Sequence, residues 1–393
     1  MSAGGVFSGR MTARATGTRA AIGSKSPARH MDLLLIAVAL TLTAIGALAI
    51  RSASRARLIA IGEDPLTFVK RHLVFLVIAS VLLLAALVFD YRQLRHLAIL
   101  LYGLGVLSLV IVLTPLGHRT SGSQRWINLG VLQAQPSELM KIILIIALAA
   151  LLSWEKGARR GLVGVVRALV ITAIPSLLIY LQPDLGTVMV LIAVVFAMLL
   201  VAGTQVRWLV MVVCAGVLLS VALLQLGVLK EYQVARLTAF LDTESDLQRA
   251  GYNLDQSKIA IGSGGWEGKG LLSPDASQTN LAYVPEQHTD FVFTAIGEEA
   301  GFRGAVLVLG LFGLLLWRTL RVSLLSKDKF GTLLAAGIAA MFGFQVFVNI
   351  GMTIGIMPIT GIPLPFVSYG GSSLITSFLG VGLLVNIHMR RFV

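Results

Sequence analysis

Three ionisable groups stand where an apolar chain makes charge expensive. Glu138 and Lys141 open an apolar run in Gln135-Pro136-Ser137-Glu138-Leu139-Met140-Lys141, and Asp290 directly precedes Phe291-Val292-Phe293. Pro136 and Ser137 suit a helix start, and the i, i+3 spacing puts Glu138 and Lys141 on one face of that helix. As a solvated pair they would contribute only ~0.2–0.5 kcal/mol. An ionisable group entering a membrane span, however, faces a polar cavity or a partner, which points to function. Asp290 fits two roles equally well from pattern alone. It could cap the next helix, or, half-buried with a raised pKa, accept a proton near neutral pH.

Other polar motifs fall in the same class of connections. Ser123-Gln124-Arg125-Trp126 precedes the Glu138 helix, and Gln182-Pro183-Asp184-Leu185-Gly186 joins two apolar runs. Turn chemistry and helix capping account for that second motif, with Gln182 and Asp184 as supporting groups. A longer stretch carries Gln256, Lys258, a glycine cluster from Gly262 to Gly270, and Glu286, His288 and Thr289. The glycines lack the spacing of a phosphate loop and the Ser or Thr after Lys269, so they read as backbone turning. Finally, residues 357–373 combine three prolines with several glycines and Ser368 and Ser372. Irregular backbone of this apolar kind is tolerated at membrane depth only against protein or a cavity.

The elements that must position these groups are membrane helices. Of 393 residues, 56% are hydrophobic and only 13% charged, and the mean hydropathy of +0.85 excludes a soluble globular chain. Apolar runs long enough to cross ~30 Å of hydrocarbon predict about ten spans. They fall at 33–50, 72–89, 97–113, 138–153, 163–181, 185–202, 208–228, 291–317, 331–350 and 368–388. Continuous runs without period-two alternation exclude a β-barrel. The fold class is therefore an all-α polytopic bundle, a membrane domain over 31–393 with one large extracytoplasmic loop at 229–290.

Basic residues lie in the N-terminal 30 residues and in alternate connections, among them Arg92, Arg95, Lys156, Arg159, Arg318, Arg321 and Arg390. By the positive-inside rule both termini are cytoplasmic, although Arg51, Arg55 and Arg57 run against the pattern. Residues 1–30 contain no acid and no apolar centre, and read as a disordered basic tail. The net charge of +13 is juxtamembrane in placement, so no nucleic-acid partner is expected. The single cysteine, Cys214, excludes an intramolecular disulfide and a cysteine zinc site. No fixed-period repeat and no inverted pair of interrupted spans is evident, which argues against a secondary transporter.

The strings QRWINLG, QPSELMKI, QPDLG, YNLDQSKIAIGSGGWEGKG, PEQHTDF and GIMPITGIPLPFVSYGGSS resemble the SEDS family of RodA, FtsW and SpoVE from the first span to the last. The wording ITGIPLPFVSYGG is more similar to the RodA branch, which serves elongation and shape. The resemblance implies a glycosyltransferase that polymerises lipid II on the outer face of the cytoplasmic membrane. It further implies an essential aspartate at Asp290, with Arg125, Lys141, Glu138 and Lys258 toward the diphosphate or substrate. Gln124, Trp126, Gln135, Ser137, Gln182, Asp184, Gln256, Glu286, His288, Ser368 and Ser372 are expected to line or support the same cavity. No organic cofactor is expected; the charged leaving group leaves room for a divalent cation, magnesium or manganese, with unknown ligands. Expected partners are membrane lipids, a class B penicillin-binding protein and other elongation-complex proteins, because the chain has no catalytic Ser-x-x-Lys domain. The rival reading is a lipid II flippase, in which the same charges would line a translocation path.

Overall fold

The structure, a computed structural model, describes residues 30–120, 123–128, 133–154, 161–225, 250–270 and 288–391. The expected basic tail, apart from His30, and Glu286 lie outside these residues. Twelve α-helices run in chain order among the described residues. They are α1 (Leu33–Ala60), α2 (Thr67–Val88), α3 (Leu94–Leu113), α4 (Pro136–Trp154), α5 (Leu162–Leu181) and α6 (Leu185–Val201). Then follow α7 (Val206–Gln225), α8 (Ala250–Ser263), α9 (Val292–Glu299), α10 (Gly301–Leu325), α11 (Lys329–Ile354) and α12 (Gly371–Arg390). Eight of them, α1 to α5 and α10 to α12, are long and apolar enough to cross a membrane, and α6 and α7 are shorter apolar helices. The protein is an all-α polytopic membrane bundle, with nine of these ten helices at positions that apolar length predicts and α10 covering only the later part of the run 291–317.

Aspartates start several helices by accepting orphan backbone N–H groups. Asp32 accepts from Leu35 N before α1, Asp184 from Thr187 N before α6, and Asp328 from Gly331 N before α11. Ion pairs tie one end of the bundle together. Arg318 lies 2.5 Å from Asp32, Arg390 3.3 Å from Asp90, and Arg92 3.4 Å from Asp328. Within their spanning windows α4, α11 and α12 are 67%, 78% and 83% buried, against 17% and 22% for α2 and α3. The former trio is therefore the centre of the bundle, and the latter turn apolar faces outward.

One expectation is corrected. The run 291–317 is not a single span, because the helix breaks at Ala300 and Gly301 into α9 and α10. Gly301 has φ +63°, and a Cβ there would lie 2.4 Å from Gly268 N. The glycine turn after α8 docks backbone to backbone on this break. Lys269 N donates to Glu298 O at 3.0 Å, and Phe302 N donates to Gly265 O at 2.8 Å. The glycine cluster thus serves close backbone approach, in accord with its reading as a turn.

A second feature lies outside what apolar length predicts. The α3–α4 connection forms a small antiparallel sheet, β1 (Gly117–Thr120), β2 (Ser123–Asn128) and β3 (Gln133–Ala134), in the order β1-β2-β3. Between α11 and α12, residues 355–370 are irregular, as three prolines require. Their anchor is Phe366, 1% exposed and left-handed at φ +67°, held between the Phe342 and Phe378 rings at 5.4 and 5.6 Å. The Ser368 hydroxyl accepts from Leu364 N and closes the turn.

Candidate active site

At the end of the bundle opposite those ion pairs, a cavity of about 440 Å³ is lined by Arg125, Glu138, Lys141, Asp184 and Asp290 among other residues. Five elements build it. The sheet supplies Arg125 and Trp126, the start of α4 Glu138 and Lys141, and the cap of α6 Asp184; the chain before α9 brings Asp290, and the 360–373 stretch forms the remaining wall. Three carboxylates therefore stand against two cations.

Lys141 and Glu138 form a pair at 2.8 Å, with side chains only 2% and 4% exposed. This is a buried ion pair, not the solvated one the spacing alone would allow, and Glu138 Oε2 has no hydrogen-bond partner. Arg125 is held differently. Its Nε donates to Gln182 O at 3.0 Å and its Nη2 to Pro183 O, while Nη1 lies 4.0 Å from Asp184. Two neutral carbonyls fix the guanidinium, and the Asp184 carboxylate offsets its charge only at the outer limit of an ion pair.

Asp184 is both a cap and a hub. Besides Thr187 N, it accepts from Thr187 Oγ1 at 2.9 Å and from Ser137 Oγ and Gln135 Nε2 at 3.3 Å each. Gln135 N also donates to Ser372 Oγ, joining β3 to the start of α12. That helix begins at Gly370-Gly371 with no side-chain cap, and Gly371, Ser372 and Ser373 line the cavity. Orphan N–H groups and the positive helix end favour an anion there.

The two readings of Asp290 separate here. Phe291, not Asp290, occupies the cap position of α9, and no side chain caps that helix. The Asp290 carboxylate instead borders the cavity beside Gly361, where an added Cβ would lie 3.2 Å from Oδ2. Asn349, buried in α11, donates to the carbonyls of Asp290 at 2.9 Å and Ile362 at 2.7 Å, locking the two walls together. Tyr369 lines the cavity, and its backbone N donates to His288 O at 3.0 Å. Burial pushes the Tyr369 phenol up from its ordinary range, opposed by Arg71, so it remains a hydrogen-bond donor at neutral pH.

Of the residues expected around this site, Trp126, Gln135 and Ser372 line the cavity with the five charged groups. Gln124, Ser137, Gln182, His288 and Ser368 support it from outside. Gln124 holds the sheet through Thr114 O and Gly117 O, Gln182 Nε2 reaches Leu109 O, and His288 packs on Phe68 at 4.7 Å. Lys258 and Gln256 are not among the residues lining this cavity: α8 packs on α9 and on the end of α11, with Lys258 beside Gly355. Sequence reasoning missed Asn349, Tyr369 and Thr187. A pair of buried amides four residues apart in the apolar run of α11, Gln345 and Asn349, was the available signal for Asn349.

The family model described as "Cell cycle protein", that of FtsW, RodA and SpoVE, matches residues 32–392. The chain belongs to the SEDS family. A probable peptidoglycan glycosyltransferase FtsW of Trichlorobacter lovleyi is 37% identical over 358 residues, covering 91% of this chain and 92% of the relative. Stage V sporulation protein E of Bacillus subtilis is 38% identical over 361 residues, covering 91% and 96%. Among solved structures, a chain from "Structural coordination of polymerization and crosslinking by a peptidoglycan synthase complex" superposes with TM-score 0.77 at 33% identity, covering 92% of this chain and 98% of that one. The rod shape determining protein RodA of Thermus thermophilus gives TM-score 0.67 at 32% identity, covering 92% and 98%. The SEDS match contains every residue of the cavity. Curated relatives carry FtsW and SpoVE names and two solved structures the RodA name, so membership is fixed at the level of the family.

Proposed function

We propose that this chain is a peptidoglycan glycosyltransferase that polymerises lipid II on the outer face of the cytoplasmic membrane, with both of its termini inside. The carrying observation is that Asp290, Arg125 and Lys141 border one cavity at the end of the bundle away from the paired basic ends. The glycosyltransferase names of SEDS relatives support the same reaction class.

In this reading the acceptor sugar's 4-hydroxyl attacks the anomeric carbon of the donor. The new C–O bond forms as the bond to the diphosphate breaks, with inversion, and Asp290 takes the hydroxyl proton. A diphosphate leaves already charged and needs cations rather than a proton donor, unlike the alcohol leaving from a glycosidase. Arg125, anchored on neutral carbonyls and paired with Asp184 only at 4.0 Å, supplies the larger share of that charge, because Lys141 is paired with Glu138 at 2.8 Å. The uncapped start of α12 adds oriented N–H donors.

Among the described residues no group of three His, Cys, Asp or Glu is placed to hold a metal ion. The donor set therefore does not form a protein-only site, and magnesium or manganese would take most of its ligands from phosphate oxygens. The steps above use this chain's own side chains.

A partner transpeptidase of the class B penicillin-binding type belongs to the same proposal, supported by the synthase-complex neighbour. The wording of residues 359–371 supports an elongation role, while the FtsW names favour a division role. Depletion in cells separates them: rounding indicates elongation, filamentation indicates division.

The reaction is tested with purified protein, with and without its partner, given fluorescent lipid II. Glycan strands should form and should vanish with Asp290→Ala. Transbilayer movement of lipid II without strand formation would favour a flippase instead.

A further inference from the structure

The break between α9 and α10 buries two carboxylates side by side. Glu298 is 0% and Glu299 2% exposed, and neither takes part in the reaction proposed above. Their partners differ. Glu298 meets the Lys269 ammonium of the glycine turn at 2.8 Å. Glu299 accepts instead from the neutral hydroxyl of Ser52, itself buried on α1 just beyond the apolar run 33–50. The bond joins residues 247 apart in sequence, so it tethers the end of α9 to α1.

The helix so tethered is the one that follows Asp290. At its start Asn349 holds the Asp290 carbonyl at 2.9 Å, in its middle Thr294 and Ser257 of α8 share a bond at 2.6 Å, and at its end Glu299 meets Ser52. Of the side chains in these three contacts only Glu299 is ionisable. Burial pushes its carboxyl up from 4.5 to about 7; the Ser52 hydroxyl opposes the rise and the Glu298 charge adds to it. Around it, Arg51 and Arg55 flank Ser52 on α1, the last turn of α8 carries no ionisable group, and Arg303 in the first turn of α10 pairs with Glu267 at 3.1 Å, both exposed. A buried carboxyl of this kind holds its proton more tightly than a free one. It stabilises the docked helix fully below about pH 4.5, and that stability is lost as the pH rises through about 7.

We propose that Glu299 is a positioning residue for the transfer step: protonated, it holds α9 against α1, and on ionising it loosens the helix and with it the seat of Asp290. The inference rests on the role of Asp290 proposed above and adds an alkaline limit to it. Asp290 must lose its proton to act as a base, whereas Glu299 must keep its own. The two requirements together give polymerisation a bell-shaped dependence on pH.

Hydrogen exchange over residues 292–299 of the purified full chain reads the tether without any substrate. After correction for the intrinsic exchange rate, wild-type protection should fall about thirtyfold from about pH 5 to about pH 7. Glu299→Gln, a neutral isostere, should hold it constant. Ser52→Ala should move the transition to higher pH, because the hydroxyl favours the ionised form. Lipid II polymerisation over the same pH series reads the consequence: the wild-type rate should decline on the alkaline side and the Glu299→Gln rate should not. Wild-type protection that ignores pH, or an alkaline decline shared by Glu299→Gln, would overturn the proposal. Polymerisation that survives Asp290→Asn would overturn the positioning role together with the reading of the reaction; the exchange transition would then still appear, which separates that failure from a failure of the tether.

Discussion

Breaking the Glu138–Lys141 pair asks whether it holds the fold or works in the reaction. The two groups are 2.8 Å apart and almost inaccessible to water. Glu138→Gln strands an ammonium without its counterion, and breaking a buried pair in this way costs about 3–5 kcal/mol. Lys141→Met strands the carboxylate at a similar cost, since Glu138 Oε2 has no other partner. The double variant Glu138→Gln/Lys141→Met removes both charges and keeps the volume, so its stability should return to within about 1 kcal/mol of wild type. Thermal unfolding of the three purified variants in one detergent measures this, alongside lipid II polymerisation. A working pair predicts a double variant that is stable but inactive. Recovery of both stability and polymerisation would refute a role for Lys141 in the chemistry. Singles as stable as wild type would refute the argument from burial.

Three further outcomes follow from the cavity walls. Asn349→Leu leaves the carbonyls of Asp290 and Ile362 without their shared donor, at about 1–3 kcal/mol each. Its unfolding midpoint should fall and its turnover with it, whereas an unchanged midpoint would contradict the bridge. Gly361→Ala forces a side chain into left-handed backbone at φ +73° and 3.2 Å from the Asp290 carboxylate, so polymerisation should drop by about 10²-fold, the cost of a ~1 Å misplacement. Retained activity would mean that the carboxylate position is not critical. Lys258→Ala, outside the cavity, should keep turnover within about twofold of wild type, as surface changes away from a site generally do; a large loss in initial rate would bring Lys258 back to the substrate.

How much of this was legible in the sequence differs by element. Apolar length located the spans, because hydrocarbon thickness fixes helix length whatever the packing. It failed at Ala300 and Gly301, where Gly297, Glu298, Glu299 and Arg303 interrupt the apolar run without shortening it enough to divide it by length alone, and the docking of Gly268 reveals the bend. The small sheet was equally invisible, since Ser123–Asn128 has no clear alternation and draws its order from pairing with its neighbours.

Within the site, the cost of burying charge singled out Glu138 and Lys141, and the family motifs singled out Asp290 and Arg125. Setting aside the helix-cap reading of Asp290 needed the one-residue distinction that puts Phe291 at the head of α9. Lys258 stands apart from the cavity lining, a placement that sequence order within the long loop does not convey because it says nothing of which wall α8 packs against. Asn349 escaped notice because its importance lies in two carbonyls that are distant in sequence and meet only in the fold.

The central claim is that Asp290 takes a proton in the transfer step. The most direct test is single-turnover lipid II polymerisation by Asp290→Asn, with lipid II affinity measured on the same preparation. The substitution preserves shape and removes the base, so affinity should stay within a few-fold of wild type while the rate falls by about 10²–10⁴-fold. A rate within tenfold of wild type, at unchanged affinity, would contradict the assignment.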